Sequence, residues 1–486
     1  MTSTRLTPLP PAAAPSASQH AAPGWPALLI MLCGTFMVVL DFFIVNVALP
    51  SMQGELHSSA ATLQMVVAGY GLATAAGLIT GGRLGDIFGR RRMFMTGLAL
   101  FTLASAACGL APDAATLVAA RVLQGLAGAL LQPQVLAMMG LVYTGERRAR
   151  AFAAYGLTLG LGATLGQLVG GLLIHANLAG LGWRSCFLIN VPVGLAALAL
   201  APRLLPPLAN KAGARLDLAG AALAAAVCTA VVLPLVEGRE QGWPLWSVLS
   251  LALALPLAAA FALQQRQLAR RGGAPLLAPA LLAHRSFVLG LATTLAFYAG
   301  NASLYFVLAL YMQQGLGLAP LPSGLIFTAL AAGFFATSLA APRLARWLGG
   351  APIARGALLL ALGHALQCLN VTLWAGPSTL FWMVPLLLLQ GAGLGLVMAP
   401  LVSAVLAGLP PQHAGVASGT IATVQQAGNA LGVALVGILF YGRLQGAADA
   451  QAWGAALGVA LLYLCASALL VAGLQACANR LARPAA

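Results

Sequence analysis

Fourteen apolar runs follow one another along the 486-residue chain, separated by charge, Pro or Gly. They cover 26–49, 62–82, 93–111, 115–141, 151–174, 185–205, 216–236, 245–264, 286–312, 322–342, 352–374, 379–407, 415–440 and 453–476. A helix crosses a bilayer core with ~20 apolar residues, so each run is close to one crossing. Lipid offers backbone N–H and C=O groups no partner, and runs of this kind fold as helices that satisfy their own hydrogen bonds. Only 7% of the residues are charged, against about 25% in soluble domains, which leaves little of the chain outside the bilayer. The expected fold class is an all-α membrane protein with 14 transmembrane helices. Residues 1–24, rich in Pro, Ala and Ser, read as a disordered tail. No short apolar core with a cleavage site precedes the first run, so no signal peptide is expected.

The net charge of +15 invites a nucleic-acid reading, and the placement of the basic residues rejects it. An even number of spans puts both termini on one side. With the amino terminus in the cytoplasm, twenty of the 24 Lys and Arg lie there, among them Arg83, Arg90, Arg91, Arg92, Arg147, Arg148, Lys211, Arg215, Arg346 and Arg483. Arg184, Arg239 and Arg443 fall outside, and Arg121 falls within a span. That bias predicts a multi-pass protein of the cell membrane with both termini cytoplasmic. Its positive charge faces anionic lipid headgroups, not nucleic acid. The seven cysteines form no CxxC, and most sit in apolar runs as small hydrophobes. Neither disulfides nor a metal site is expected.

The first run is interrupted by one charge, Asp41. A carboxylate near a span centre costs ~2.5–3.5 kcal/mol on insertion scales, so it is expected to face a cavity or a partner. Arg121 is the other charge lying more than three residues inside a span. The first helix runs outward and the fourth inward, which puts Asp41 ~12 Å and Arg121 ~9 Å from the same face at 1.5 Å per residue. The two charges therefore fit a proton relay, directly or through Gln124; a purely structural ion pair is the alternative.

The chain also repeats itself. Arg83-Leu84-Gly85-Asp86-Ile87-Phe88-Gly89 has an echo in Arg343-Leu344-Ala345-Arg346-Trp347-Leu348-Gly349. Leu123-Gln124-Gly125 recurs as Leu389-Gln390-Gly391, and Gly162 and Gly166 match Gly428 and Gly432. Three echoes in one order divide the chain into a six-helix half over 25–205, a linker with two extra helices over 206–285, a second six-helix half over 286–476, and a tail over 477–486. Such repeats are typical of secondary transporters, whose site lies between the halves.

Four stretches together resemble the major facilitator superfamily, in its fourteen-span drug–proton antiporter branch. They are Leu40 to Pro50, Gly82 to Arg92, Arg121-Val122-Leu123-Gln124-Gly125, and Gly182-Trp183-Arg184 with Phe187 to Gly194. The resemblance implies the major facilitator fold: two six-helix halves, here with two inserted central helices. It implies that Gly82, Asp86, Gly89, Arg90 and Arg91 form a cytoplasmic gate, and that Asp41 and Arg121 couple protons. The face with Gly162, Gly166, Gly170 and Gly171 has small-xxx-small spacing that lets helices pack closely, and it corresponds to the family's antiporter motif. Gln167 stands there in place of the usual Pro. Phe43 replaces a usual Thr, and Gln425 a common Arg.

No charge lies in the middle of a span of the second half. Asn46, Gln124 and Gln167 in the first half, with Tyr298, Asn301, Gln390, Gln425, Gln426 and Asn429 in the second, are the candidate lining of a substrate cavity. Apolar walls with a few amides suit a lipophilic organic compound, neutral or weakly cationic. For any one amide, interhelical hydrogen bonding is the better explanation. His364 reads as structural. No GxxxxGK loop, HExxH or paired intramembrane carboxylates occur, so neither ATP-driven transport nor an enzyme is expected. The expected function is proton-driven efflux of lipophilic small molecules, with the proton as coupling ion, no other cofactor, and a monomer as working unit. An exporter of one endogenous metabolite or antibiotic is the close alternative, and a non-transporting membrane protein a more distant one.

Overall fold

The computed structural model describes residues 24–208, 216–273, 275–277, 279–347, 351–374, 378–406, 414–444 and 449–482. Most of the amino-terminal tail, Lys211, Arg215, the end of the Arg343–Gly349 echo with the Arg346 side chain, and Arg483 lie outside the described residues. Fourteen membrane-length helices occur among those described. We number them α1 (Trp25–Leu56), α2 (Ala60–Phe88), α3 (Arg90–Gly109), α4 (Ala114–Val142), α5 (Gly145–Ala176) and α6 (Gly182–Leu204). The inserted pair is α7 (Leu218–Glu240) and α8 (Leu245–Arg270). The second half is α9 (Arg285–Gly315), α10 (Pro320–Trp347), α11 (Pro352–Leu373), α12 (Thr379–Leu406), α13 (Ala414–Leu444) and α14 (Ala450–Ala482).

Local signals set where the helices begin and end. Ser59, Asp113 and Asp217 each cap a helix by accepting from a backbone N–H three residues on, at Thr62, Thr116 and Gly220. Gly89 joins α2 to α3 at φ 94°, a conformation that an L side chain rarely adopts. Pro50, Pro133, Pro234 and Pro256 lie inside helices, as spans allow when neighbours replace the lost bond.

The two halves pack alike. Within the first, α2 packs on α4, α3 on α4, and α1 on α5; the second repeats this as α10 on α12, α11 on α12, and α9 on α13. The halves meet along two seams, α5 against α10 and α2 against α13. Helix α7 lies over the second seam and touches both halves. Glu240 Oε1 accepts from Ala61 N of α2 at 2.7 Å, and Arg239 stacks 5.1 Å from the Tyr441 ring of α13. Helix α8 packs on α7 and is otherwise largely exposed.

The glycine face of α5 shows why those residues lack side chains. A Cβ on Gly166 would lie 3.1 Å from Ile44 N, and one on Gly170 only 2.5 Å from Val47 Cγ1, both on α1. Gly162 meets Val39 of the same helix. Gly171 turns to the other half, where its Cβ would meet Pro320 O of α10 at 2.6 Å.

Contacts between the halves gather at the end of the bundle that carries the α1–α2 turn. Gln313 Nε2 donates to Val47 O at 2.9 Å, Gln314 to Gln53 at 2.7 Å, and Gln64 of α2 to Val433 O of α13 at 3.2 Å. Beneath them the Phe43 and Tyr305 rings meet edge-on at 4.7 Å, and Tyr305 stacks on Phe327 at 5.6 Å. At the opposite end, a Cβ on Gly156 of α5 or Gly419 of α13 would meet nothing within 4 Å. The described hydrogen bonds and ring contacts between the halves thus close the bundle at the end of the α1–α2 turn.

Candidate functional site

Helices α1, α4 and α6 bring four polar side chains to one point in the apolar first half. Asp41 and Arg121 form an ion pair with both side chains fully buried. Arg121 Nε donates to Val66 O at 2.9 Å and Nη1 to Gln124 Oε1 at 2.6 Å, and its guanidinium lies 4.2 Å from the Tyr70 ring. Gln124 Nε2 donates to Asp41 Oδ1 at 2.8 Å, and Asn190 Nδ2 donates to the same oxygen at 3.0 Å. Ser105 and Cys108 of α3 complete the shell through Gln124, at 2.7 and 3.5 Å. A carboxylate and a guanidinium together leave the apolar interior without net charge, which is the condition for burying either. Arg121 Nη2 has no hydrogen-bond partner among the described residues.

A second cluster anchors this centre. Trp183 Nε1 donates to Glu55 Oε2 at 2.7 Å, Arg184 pairs with Glu55, and Arg184 Nη2 reaches Ala111 O at 3.3 Å. Both ends of the α6 motif therefore hold α1, at Glu55 and at Asp41.

The α2–α3 turn carries its own ion pair, Asp86 with Arg90. Arg91 donates to Pro202 O of α6. Gly85 closes onto Gln134, where a Cβ would lie 1.9 Å from Oε1, and Gly82 rests against Pro133. All these partners belong to the first half.

The amides separate into two groups. Gln425 Nε2 donates to the Tyr298 hydroxyl at 3.1 Å and Asn429 Nδ2 to Gln426 Oε1 at 2.8 Å, near the seam between the halves. Tyr155 of α5 approaches Tyr298 from the first half. Gln167 donates to Phe43 O at 2.7 Å, and Asn46 turns back to its own helix at Phe43 O, 3.1 Å. Asn301 and Gln390 instead turn into the second half. Asn301 lines a cavity of about 10 Å³ with His364 and Ser467, walled only by α9, α11, α12 and α14, and Gln390 donates to Gly363 O at 3.3 Å. That volume is close to one water molecule, far below what an organic substrate needs. Among the described residues no group of three or more His, Cys, Asp or Glu is placed to hold a metal.

Sequence reading missed Asn190, Ser105, Cys108 and Tyr155. Asn190 stood inside a quoted motif with no role attached, and its signal was a polar residue in an otherwise apolar stretch.

Solved transporters share this architecture. A POT family transporter in complex with a thioalcohol-conjugated peptide superposes with a TM-score of 0.69 at 14% identity, covering 94% of this chain and 97% of that one. An auto-inhibited POT family peptide transporter gives 0.65 at 17%. Identities this low speak for fold alone. Sequence relatives are much nearer. The probable actinorhodin transporter of Streptomyces coelicolor is 40% identical over 88% of this chain and 74% of its own length. The tetracenomycin C resistance and export protein of Streptomyces glaucescens is 34% identical over 86% and 76%. Multidrug resistance protein Stp of Mycobacterium tuberculosis is 32% identical over 83% and 73%. The Major Facilitator Superfamily pattern matches residues 31–433, and the chain belongs to that superfamily.

Proposed function

We propose that the chain is a proton-driven exporter of lipophilic small molecules that works by alternating access. The observation that carries this reading is the buried Asp41–Arg121–Gln124–Asn190 centre in the half that closes onto α9 and α10. A titratable group hidden there is costly even when paired, and intramembrane ionisable residues are retained chiefly for function. One proton moving down ~150 mV releases ~3.5 kcal/mol, enough for a gradient of several hundred-fold. The relatives are named as transport, export and resistance proteins for antibiotics and drugs, and phenols and amides near the seam, such as Tyr298 and Gln425, suit a lipophilic compound, neutral or weakly cationic.

With both termini in the cytoplasm, as the basic-residue bias favours, the closed end is external and the conformation is inward-facing. Substrate enters from the cytoplasm or inner leaflet and contacts Tyr155, Tyr298, Gln425 and Gln426. The Phe43–Tyr305–Phe327 contacts then part as the halves rock. Asp86 with Arg90 serves the cytoplasmic gate in this cycle, where closing brings the α2–α3 turn toward the second half. The working unit is a monomer in contact with membrane lipid, and the activity is transport without catalysis.

The test is a reconstituted one. Proteoliposomes with an imposed pH gradient, offered a panel of neutral aromatic compounds and quaternary ammonium dyes, are expected to accumulate the former only when the gradient is present. Accumulation driven by ATP, or none for any lipophilic compound, would overturn the reading.

A further inference from the structure

Two carboxamides share one oxygen of Asp41. Gln124 Nε2 lies 2.8 Å and Asn190 Nδ2 3.0 Å from Oδ1, while Arg121 takes Oδ2. The two amides differ in what else they do. Gln124 Oε1 accepts from Arg121 Nη1 at 2.6 Å and from Cys108 Sγ at 3.5 Å, and its Nε2 also meets Ser105 Oγ at 2.7 Å. Turning that amide over would set its NH2 against the guanidinium, so Gln124 is fixed. Asn190 is not. Among the described residues its one hydrogen bond is the donation to Asp41, and it is itself 99% hidden from solvent, with 1% exposure.

An ionised carboxylate only accepts, whereas a protonated one also donates. A group that serves both forms must offer a donor to one and an acceptor to the other. A carboxamide does this by half a turn about its last torsion, with almost no change of shape. We propose that Asn190 is the positioning residue that follows the protonation of Asp41. Its Nδ2 donates to the carboxylate, and after the turn its Oδ1 accepts from the acid O–H. The proton itself comes from and returns to water; Asn190 gains and loses none.

The α6 segment is suited to this task. Trp183 and Arg184, seven and six residues before Asn190, are tied to Glu55 on the same helix as Asp41. Helices α1 and α6 belong to one half, so Asn190 stays within reach of Asp41 while contacts between the halves are made and broken. Gln124 and Arg121 hold the carboxylate in place; Asn190 adapts to it.

This inference rests on Asp41 as the proton carrier, and the experiment separates the two. Infrared difference spectra of the lipid-reconstituted protein, taken as pH is stepped, are expected to contain an acid C=O band that Asp41→Asn removes. In Asn190→Leu, the carboxylate loses a charge-assisted donor, which outweighs the weaker neutral bond that the acid loses. The midpoint of that band therefore moves to higher pH, by up to about one unit, and its frequency shifts because the acid loses its acceptor. Asn190→Ser, whose hydroxyl both donates and accepts, is expected to return the midpoint most of the way. Helical circular dichroism and the thermal midpoint in detergent check folding, and Asn190→Ala carries the test where the Leu variant fails to fold. A band that Asp41→Asn removes but that Asn190→Leu and Asn190→Ala leave at the same midpoint and frequency overturns the role of Asn190 alone. A spectrum in which Asp41→Asn removes no acid band overturns the reading of Asp41, and this inference with it.

Discussion

Phe43 of α1 and Tyr305 of α9 meet with ring centroids 4.7 Å apart, and this contact joins the two halves beneath the closed end of the bundle. Gln167 fixes the Phe43 backbone from α5 at 2.7 Å, and Phe327 backs Tyr305 from α10. The closed end therefore rests on aromatic packing from three helices and a few amide bonds, with no ion pair across it among the described residues. Edge-to-face rings contribute ~0.5–1.5 kcal/mol beyond their burial.

Replacing one ring should shift the balance between closed and open forms. Phe43→Leu keeps apolar volume but removes the ring pair, so the closed form is expected to lose roughly 2- to 10-fold in relative population. A cysteine at Ala48, buried one turn above, reports this in a cysteine-free background. Its labelling by an impermeant maleimide from outside should quicken by that factor. Labelling at the unaltered rate would mean that the rings do not hold the closed end.

The α5 glycines make a separate prediction about assembly. At Gly170 a Cβ would lie 2.5 Å from Val47 Cγ1 and 2.9 Å from Ile44 Cγ1. Gly170→Val is expected to cost ~1–3 kcal/mol through overpacking and to lower the thermal midpoint in detergent. Gly156→Ala, where a Cβ meets nothing within 4 Å, should leave it unchanged. Equal losses at both positions would show helix flexibility, not α1–α5 contact, to be the reason for glycine.

Much of this was legible because the bilayer leaves few choices. Apolar runs bounded by Arg and Gly gave fourteen helices, since a span must satisfy its own backbone. The observed helices run up to seven residues past those runs, as α1 does to Leu56, because polar residues can continue a helix beyond the apolar core. Depth counting brought Asp41 and Arg121 together because two helices crossing one membrane share a ruler. What stayed hidden depends on helix rotation and side-chain direction. Asn301 and Gln390 looked like cavity amides, yet α9 and α12 turn them into their own half. Asn190 lies in a span whose first turns are broken into short 3-10 and α segments between Gly182 and Leu188, and no period predicts its facing. Asp86 carries no sign of its partner's identity; the i to i+4 pairing with Arg90 emerges only when the chain turns at Gly89.

Orientation can be tested with two exposed positions. His57 lies in the α1–α2 turn and Arg271 just beyond α8, both exposed, and the basic-residue bias assigns them to opposite sides. In intact cells, His57→Cys is expected to react with an impermeant maleimide and Arg271→Cys only after permeabilisation. The reverse pattern would invert the whole topology, and with it the inward-facing assignment.

The ion pair itself permits the sharpest test, because a structural pair and a proton carrier respond differently to double substitution. Asp41→Asn mimics a permanently protonated carboxyl and leaves Arg121 as a buried cation held by Gln124, Val66 O and the Tyr70 ring. Breaking a buried pair from one side costs ~3–5 kcal/mol, and the remaining amide contact should keep the loss toward the lower end. Asp41→Asn is therefore expected to lower the thermal midpoint and to abolish uphill efflux, while downhill substrate exchange persists. Adding Arg121→Gln removes the stranded charge, so the double variant should regain much of the lost stability. A pair that serves structure alone would regain transport together with stability. A proton carrier would not, since no carboxyl remains at the centre to couple the two halves to the gradient. Accumulation against a gradient by the double variant, in response to an imposed pH step, would therefore remove Asp41 from the mechanism.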